Sequence, residues 1–414
     1  MKFSRLLAIC MLCGAVGVAA AADPPTNTLA AAMELAWRLH PEAAALEARE
    51  QGARAAQELA AGVLPGPAAL SFGHANDRFN RNRGKQEWEL ELAAPLWLPG
   101  QQAARADEAL SHVDELAARR AALRWELAGE LREAWWALAA ARQTQALALR
   151  RLDTARALEQ DVRRRYQAGE LSRIDANLAQ SEVLAAQAES VEAEAMLLQS
   201  EQTLRLLTGA QPPTELAEEA PAPVPRTNPR EESREPIAVL HPHLAAAAAA
   251  ARSARARLKA TEATARAAPK LALRVQRERG DFNEEYANRL GIELTLPFAS
   301  TPQRRRETAA AQAEVERVEA EMRRAAARWP QEKQRAQHAL EAAERQLLLA
   351  QVRQAFGADN LSLSEKAFAL GESDLATLLR MRATAYDAHA ALDRQRVARA
   401  AAISRLNQSL GVTP

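Results

Sequence analysis

Outside its first 22 residues the chain holds seven histidines, His40, His74, His112, His241, His243, His338 and His389, the side chains best suited to acid–base work or metal binding. Imidazole does such chemistry when a cleft gathers it with a carboxylate, a nucleophile or further ligands. Only His241 and His243 lie close together, flanking Pro242, and a lone His-Pro-His falls short of a metal centre. No His-Glu-x-x-His, glycine-rich phosphate loop or nucleophile elbow occurs. Carboxylates are plentiful, but among arginines on helices they make surface pairs. The expectation is a chain that is not an enzyme and that carries no cofactor and no resident metal.

Another pattern stands in "QEWELELAAP", residues 86–95, where Trp88, Leu90 and Leu92 alternate with Glu87, Glu89 and Glu91. Period two puts all the apolar side chains on one face of a strand and all the charges on the other. Three further segments alternate in the same way: Leu70 and Phe72; Leu271, Leu273 and Val275; and Leu290, Ile292, Leu294 and Leu296.

These strands sit among helices. The composition is 48% hydrophobic but only 4% aromatic, and half of the apolar fraction is alanine. Alanine favours helix and lets backbones approach closely, but it cannot fill a wide core. Long helices packed side by side are expected. Lys and Arg total 54 against 53 Asp and Glu, a net charge of +1, so no bulk positive field argues for nucleic acid. Residues 1–22 read as a secretory signal peptide: Lys2 and Arg5, an apolar run from Leu6 to Ala20, then Ala20-Ala21-Ala22 before Asp23. Both cysteines, Cys10 and Cys13, fall inside it, which leaves no disulfide framework, and no lipid anchor is expected because Ile9 and Leu12 precede them.

The remainder reads as a duplication. Gly169 and Gly371 in "YQAGE" and "FALGE" lie 202 residues apart, and the same offset pairs Gly209 with Gly411, Pro67 with Pro269 and Pro95 with Pro297. Residues 23–210 form a first repeat and 237–414 a second, with β-hairpins at 67–95 and 269–297; the proline-rich, acidic segment 211–236 is expected to wrap the outside as a linker whose acids do not bury. In each repeat a helix precedes the hairpin, a long helix follows it, and a glycine break leads to a last helix. The expected helices run from Leu29 to Ala61, Gln101 to Gln167 and Leu171 to Thr208 in the first copy. The 67 residues of the middle helix span roughly 100 Å. A seam is expected along Leu171, Ile174, Leu178, Ser181, Ala185 and Ala188, and again along Leu375, Leu378, Arg382, Ala385, His389 and Leu392.

Each alternating segment has about the length of a tilted bilayer-spanning strand. Two hairpins cannot close a barrel, and open edges are not tolerated in lipid, so the strands are expected to be shared among several chains. Apolar members would face lipid, and Glu89, Glu91, Arg274 and Glu293 a water-filled lumen. The competing reading is a small soluble sheet capping the helices.

The chain resembles the TolC-like outer-membrane efflux proteins. The carriers are the duplicated order of elements, "LELAAPLWLPGQ" with "IELTLPFASTPQ", and "RYQAGELSRID" with "AFALGESDLAT". "PLWLPGQ" most resembles the CzcC-like heavy-metal branch. The resemblance implies a mainly α chain with membrane β: a homotrimer whose four strands per chain make a 12-stranded outer-membrane barrel, continued by a periplasmic α-helical barrel. It implies a passive exit duct in a Gram-negative cell, coupled through a periplasmic membrane-fusion adaptor to an inner-membrane RND-type pump, with heavy-metal cations as cargo. The alternative is the outer duct of a type I protein-secretion or multidrug efflux system. Arg165, Tyr166, Gly169, Phe368 and Gly371 match the family's periplasmic tips, where the adaptor would dock; for Tyr166 and Phe368, packing between helices is the other reading. Asp175 is a candidate constriction acid or a solvated helix-start acid. The second copy departs from the family with Thr377 and Arg380, leaving Asp374 as the candidate there.

Overall fold

The computed structural model describes residues 27–223, 241–264, 267–298 and 300–414. The signal-peptide expectation lies outside these residues, as does the expected linker from 224 to 236.

The first half begins with α1 (Leu29–Leu39) and α2 (Pro41–Ala61), where the sequence suggested one helix. His40 is extended, with ψ 120°, because the ring of Pro41 disfavours helix in the residue before it; Pro41 then opens α2 at a position where its missing N–H is not needed. Strands β1 (Ala69–Asn76) and β2 (Gln86–Pro95) follow, then α3 (Gln101–Gln167) and α4 (Arg173–Thr208). The second half repeats the order with α5 (Pro242–Ala263), β3 (Lys270–Arg279), β4 (Ala287–Thr295), α6 (Thr301–Ala369) and α7 (Leu375–Ser409). Like α2, α5 opens on a proline preceded by an extended histidine.

The helices form one layer. At its far end α7 lies between α3 and α6, and α4 flanks α3; nearer the sheet, α5 takes the place of α7 and α2 that of α4. The main core sits midway along, where Met33 of α1, Leu131 and Trp135 of α3, Leu204 of α4 and Ala400 of α7 meet. Here the proline-rich segment corrects the expectation. Glu219, half-buried, meets the buried Arg132, itself 3% exposed, at 2.7 and 3.0 Å, and its carboxylate also accepts from Ser404. Asn407 of α7 fixes the same segment through the Ala220 carbonyl at 3.0 Å and the Ala222 N–H at 2.8 Å. Residues 211–223 therefore strap α3 to the end of α7. Partial burial of an acid is tolerated here because a guanidinium meets it in bidentate geometry.

The expected seam of α4 is also displaced. Ala179, Ala186 and Ala193 are buried, seven residues apart, whereas Ile174 is 71% exposed. The small residues face α3 because they permit the closest approach, and the larger ones are left outside. In α7 the expectation holds better: Leu375, Leu378 and Leu392 are buried.

Candidate functional site

Two regions, at opposite ends of the long helices, carry the residues singled out by sequence. At one end the four strands form a single antiparallel sheet in the order β1-β2-β3-β4. Opposed residues share a face. Leu70, Leu92, Leu273 and Ile292 line up across all four strands, as do Phe72, Leu90, Val275 and Leu290. The other face carries Glu87, Glu89, Glu91, Arg274, Gln276, Glu278, Arg289 and Glu293.

Exposure is inverted relative to a water-soluble sheet. Along β2 the apolar Trp88, Leu90 and Leu92 are exposed and the alternating glutamates are half-buried; along β3 Leu271, Leu273 and Val275 are exposed while Arg274 and Gln276 are half-buried. The sheet thus curls around its charges. Arg274 is the hub, with Glu89 at 2.8 Å, Glu91 at 2.7 Å and Glu293 at 3.1 Å, so the four lumen candidates form one cluster. Sequence reasoning missed the next row, where Arg289 meets Glu278 at 2.9 Å. The register that joins β2 to β3 places these pairs, and alternation within one strand does not specify it.

At the other end α3 and α6 stop at matching turns. Gly169 and Gly371 adopt φ +78° and +76°. In the first turn the Gly169 N–H donates to the Tyr166 carbonyl at 3.0 Å and the Glu170 N–H to the Arg165 carbonyl at 2.8 Å; in the second the Gly371 N–H donates to the Phe368 carbonyl at 3.1 Å and the Glu372 N–H to the Ala367 carbonyl at 2.9 Å. These are Schellman caps, which require a left-handed residue at the glycine. Nothing lies within 4 Å of a Cβ built at either position, so backbone conformation alone calls for glycine.

The next helices start on mirrored caps. Ser172 accepts from the Asp175 N–H at 3.2 Å, and Asp175 accepts from the Ser172 N–H at 3.0 Å and hydroxyl at 2.7 Å. In the second turn Asp374 takes the serine's place and accepts from the Thr377 N–H at 2.8 Å. Acid and hydroxyl have exchanged positions, which gives a physical reason for Thr377. Hydrogen bonding to the Thr377 side chain and N–H, aided by Arg380, holds the Asp374 carboxyl below its ordinary range.

Tyr166 is 41% exposed, but Phe368 is only 7% exposed, packed with Leu158, Val162, Ala179, Leu375 and Leu378. The Arg165 guanidinium stacks over its ring at 5.2 Å and pairs with Asp161 at 3.1 Å. Phe368 thus takes the packing reading and joins the two turns into one tip, whereas Tyr166 stays exposed.

Behind the tip lies a network that sequence reasoning did not find. Arg151 of α3 pairs with Glu182 at 2.9 Å and Glu189 at 2.7 Å on α4 and stacks 4.7 Å over Tyr386 of α7, whose hydroxyl donates to Glu189. Burial and the adjacent Glu189 push the Tyr386 phenol up. Arg382 of α7 pairs with Glu365 at 2.9 Å and donates to the Thr154 carbonyl at 3.3 Å. One signal was available: residues at similar distances before and after Gly169 face each other in an antiparallel hairpin.

His241 and His243 come together beside Trp125, with rings 4.7 and 5.8 Å from it. Burial and the charge of His243 push the His241 imidazole down to about 4. Among the described residues no group of three or more His, Cys, Asp or Glu is placed to hold a metal ion. No helix among them is long and apolar enough to cross a membrane.

Comparisons with known proteins match this geometry. The family model described as outer membrane efflux protein matches residues 40–210. No curated protein sequence matches. Among solved structures, CusC superposes with a TM-score of 0.76 at 14% identity, covering 93% of this chain and 92% of that one. The open state of the Neisseria gonorrhoeae MtrE outer membrane channel gives 0.74 at 18% identity, covering 93% and 89%. The outer membrane protein VceC from Vibrio cholerae gives 0.72 at 15%, covering 93% and 96%. At these identities the likeness is one of fold: the chain has the architecture of TolC-like channels.

Proposed function

We propose that the chain is a member of the outer membrane efflux protein family and serves as the exit duct of a tripartite efflux system. The observation that carries this reading is the sheet, whose leucines face out and whose charges face in, with β1 and β4 each paired on one side only. Such a sheet is unstable in water, and its open edges are excluded from lipid. Three copies joined edge to edge, β4 of one to β1 of the next, would close a 12-stranded barrel around Glu89, Glu91, Arg274 and Glu293.

The helices support the same closure. Among the described residues α4 and α6 are the outer helices at the tip end of the layer, and each carries an exposed apolar row at seven-residue spacing: Leu184, Val191 and Leu198 on α4, and Leu349, Phe356 and Leu363 on α6. That period suits packing of α6 against α4 of a neighbouring copy. In this homotrimer the turns at Gly169 and Gly371 form the periplasmic end. Arg165 and Tyr166 there would meet the adaptor that links the duct to an inner-membrane RND-type pump, and Asp175 and Asp374 would ring the opening. Widening that end requires α7 to part from α3 and α4, which breaks the contacts of Tyr386 with Arg151 and Glu189. Heavy-metal cations are the proposed cargo.

Two experiments test the parts separately. The full chain in a planar bilayer should give discrete conductance steps, and a double Arg151→Ala, Tyr386→Phe variant should enlarge them or raise their open fraction; absence of any conductance contradicts the duct. Deletion in the source bacterium should lower metal tolerance and leave drug tolerance unchanged. The reverse outcome overturns the cargo.

A further inference from the structure

We propose that the outward face of the sheet carries, at its loop end, a binding site for the phosphate group of an outer-leaflet lipid, lipid A, built by Arg277, Arg279 and Tyr286. The proposal rests on the sheet being part of an outer-membrane barrel. The helices join the sheet at the end marked by Pro95 and Pro269, so the loops 77–85 and 280–286 mark the opposite, outer end.

Position comes from register. Leu271, Leu273, Val275, Arg277 and Arg279 alternate along one face of β3, and Arg277 stands opposite Trp88 and next to Asn288. The apolar face therefore ends in a row of His74, Trp88, Arg277 and Asn288. Arg277 is roughly 20 Å along the strand from Leu271. The Trp88 ring, 4.0 Å from that of His74 and 5.7 Å from that of Phe72, marks the level where hydrocarbon gives way to headgroups.

Charge pairing separates this pair from two other strand arginines. Arg274 and Arg289, on the lumen face, are neutralised within the chain by glutamates. Among the described residues no carboxylate pairs with Arg277 or Arg279. Two loop acids are engaged elsewhere: Asp281 accepts from the Asn283 N–H at 2.6 Å and Glu284 from the Gly280 N–H at 2.6 Å.

Both guanidinium groups are instead held on one ring. Arg277 stacks 4.5 Å and Arg279 4.9 Å from the centre of Tyr286, and Arg279 also lies 5.7 Å from Phe282. The Tyr286 hydroxyl is anchored by donating to Gln86, and Arg279 Nε by donating to the Gly84 carbonyl at 3.1 Å. Stacking fixes the planes and leaves the remaining N–H edges without a protein acceptor. Two fixed guanidinium groups at headgroup level are complementary to a phosphate ester, which accepts paired N–H bonds.

The test uses the full chain purified as its oligomer and native mass spectrometry with added lipid. The probes are bisphosphorylated lipid A, enzymatically dephosphorylated lipid A and phosphatidylglycerol. Wild type should retain bisphosphorylated lipid A roughly thirtyfold better than R277Q/R279Q, the product of about a five- to sixfold loss for each basic side chain. Dephosphorylated lipid A should bind both equally weakly, and R277K/R279K should fall between. Equal retention by wild type and the glutamine variant, with conductance intact, overturns the site and leaves the duct standing. Equal binding of phosphatidylglycerol overturns the outer-leaflet assignment. Failure of wild type to form a bilayer-inserted oligomer removes the duct and the site together. Should the glutamine variant not assemble, the preference of wild type for phosphorylated over dephosphorylated lipid A decides alone.

Discussion

The hairpin of α3 and α4 and the hairpin of α6 and α7 match closely in length and turn at the same kind of glycine cap, but α4 and α7 bury different residues. α4 turns Ala179, Ala186 and Ala193 inward and leaves Leu184, Val191 and Leu198 exposed, whereas α7 buries Leu375, Leu378 and Leu392. The reason is position in the layer. α7 has neighbours on both sides, α3 and α6, and can bury large side chains between them; α4 flanks α3 at an edge and leaves its large side chains exposed. Duplicated sequence thus supplies one interior helix and one edge helix. Exposed apolar rows of this regularity are what the proposed contact between copies would cover.

The largest expected effect concerns the strap that joins the halves. Arg132 is buried against Glu219, but the residue 202 positions on is Gln334, exposed and hydrogen-bonded only to His338 at 3.4 Å. Glu219→Ala should destabilise the protein by about 3–5 kcal/mol by stranding a buried charge, read as the midpoint of denaturant unfolding. Gln334→Ala should change it by less than about 0.5 kcal/mol.

The helix comparison comes next. Leu378→Ala should cost about 2–5 kcal/mol because the cavity lies between packed helices. Ile174→Ala should cost under about 0.5 kcal/mol in the protomer. Val191→Glu or Phe356→Glu should leave helix content unchanged by circular dichroism and lower the oligomer fraction on a sizing column. Oligomers untouched by either charge would break the contrast between edge and interior.

The two His-Pro starts differ as well. His241 is 4% exposed beneath Trp125 and is held neutral, with its imidazole pushed down from 6.5 to about 4. A depressed histidine binds its proton more readily when unfolded, so its stability contribution is full above the unfolded value and is lost as pH falls from 6.5 towards about 4. The loss amounts to about 3 kcal/mol. Unfolding midpoints at both ends of that range should diverge less in His241→Asn than in wild type.

The smallest effect lies in the swapped caps. Ser172→Ala should cost about 1 kcal/mol. In the second turn the cap is a carboxylate with a lowered pKa, so its contribution is present above 3.8 and is lost as pH falls through the folded value. Hydrogen exchange at the Thr377 amide should accelerate relative to the intrinsic rate on acidification through that range.

Much of this was legible in the residues. Period-two alternation located all four strands, and the glycines located both tips, because each follows from local backbone geometry. The long helix was expected from Gln101 to Gln167 and spans those residues. What escaped depends on partners distant in sequence. The inward alanine row of α4 is invisible to a rule that sends large apolar residues inside. Glu219 reads as a solvated acid until Arg132, 87 positions away, is placed against it. The Arg151, Glu189 and Tyr386 contacts need three helices in register. The break at His40 was present in the sequence as Pro41, and the continuous apolar pattern around it concealed it.

The assembly reading is tested most directly by extracting the full-length protein from an outer-membrane fraction in detergent and measuring its native mass and its shape by electron microscopy. Three copies in a hollow rod longer than about 100 Å, the span of the long helices, are expected. A monomer or dimer without a central tunnel would contradict the duct and return the sheet to the role of a cap on a helical bundle.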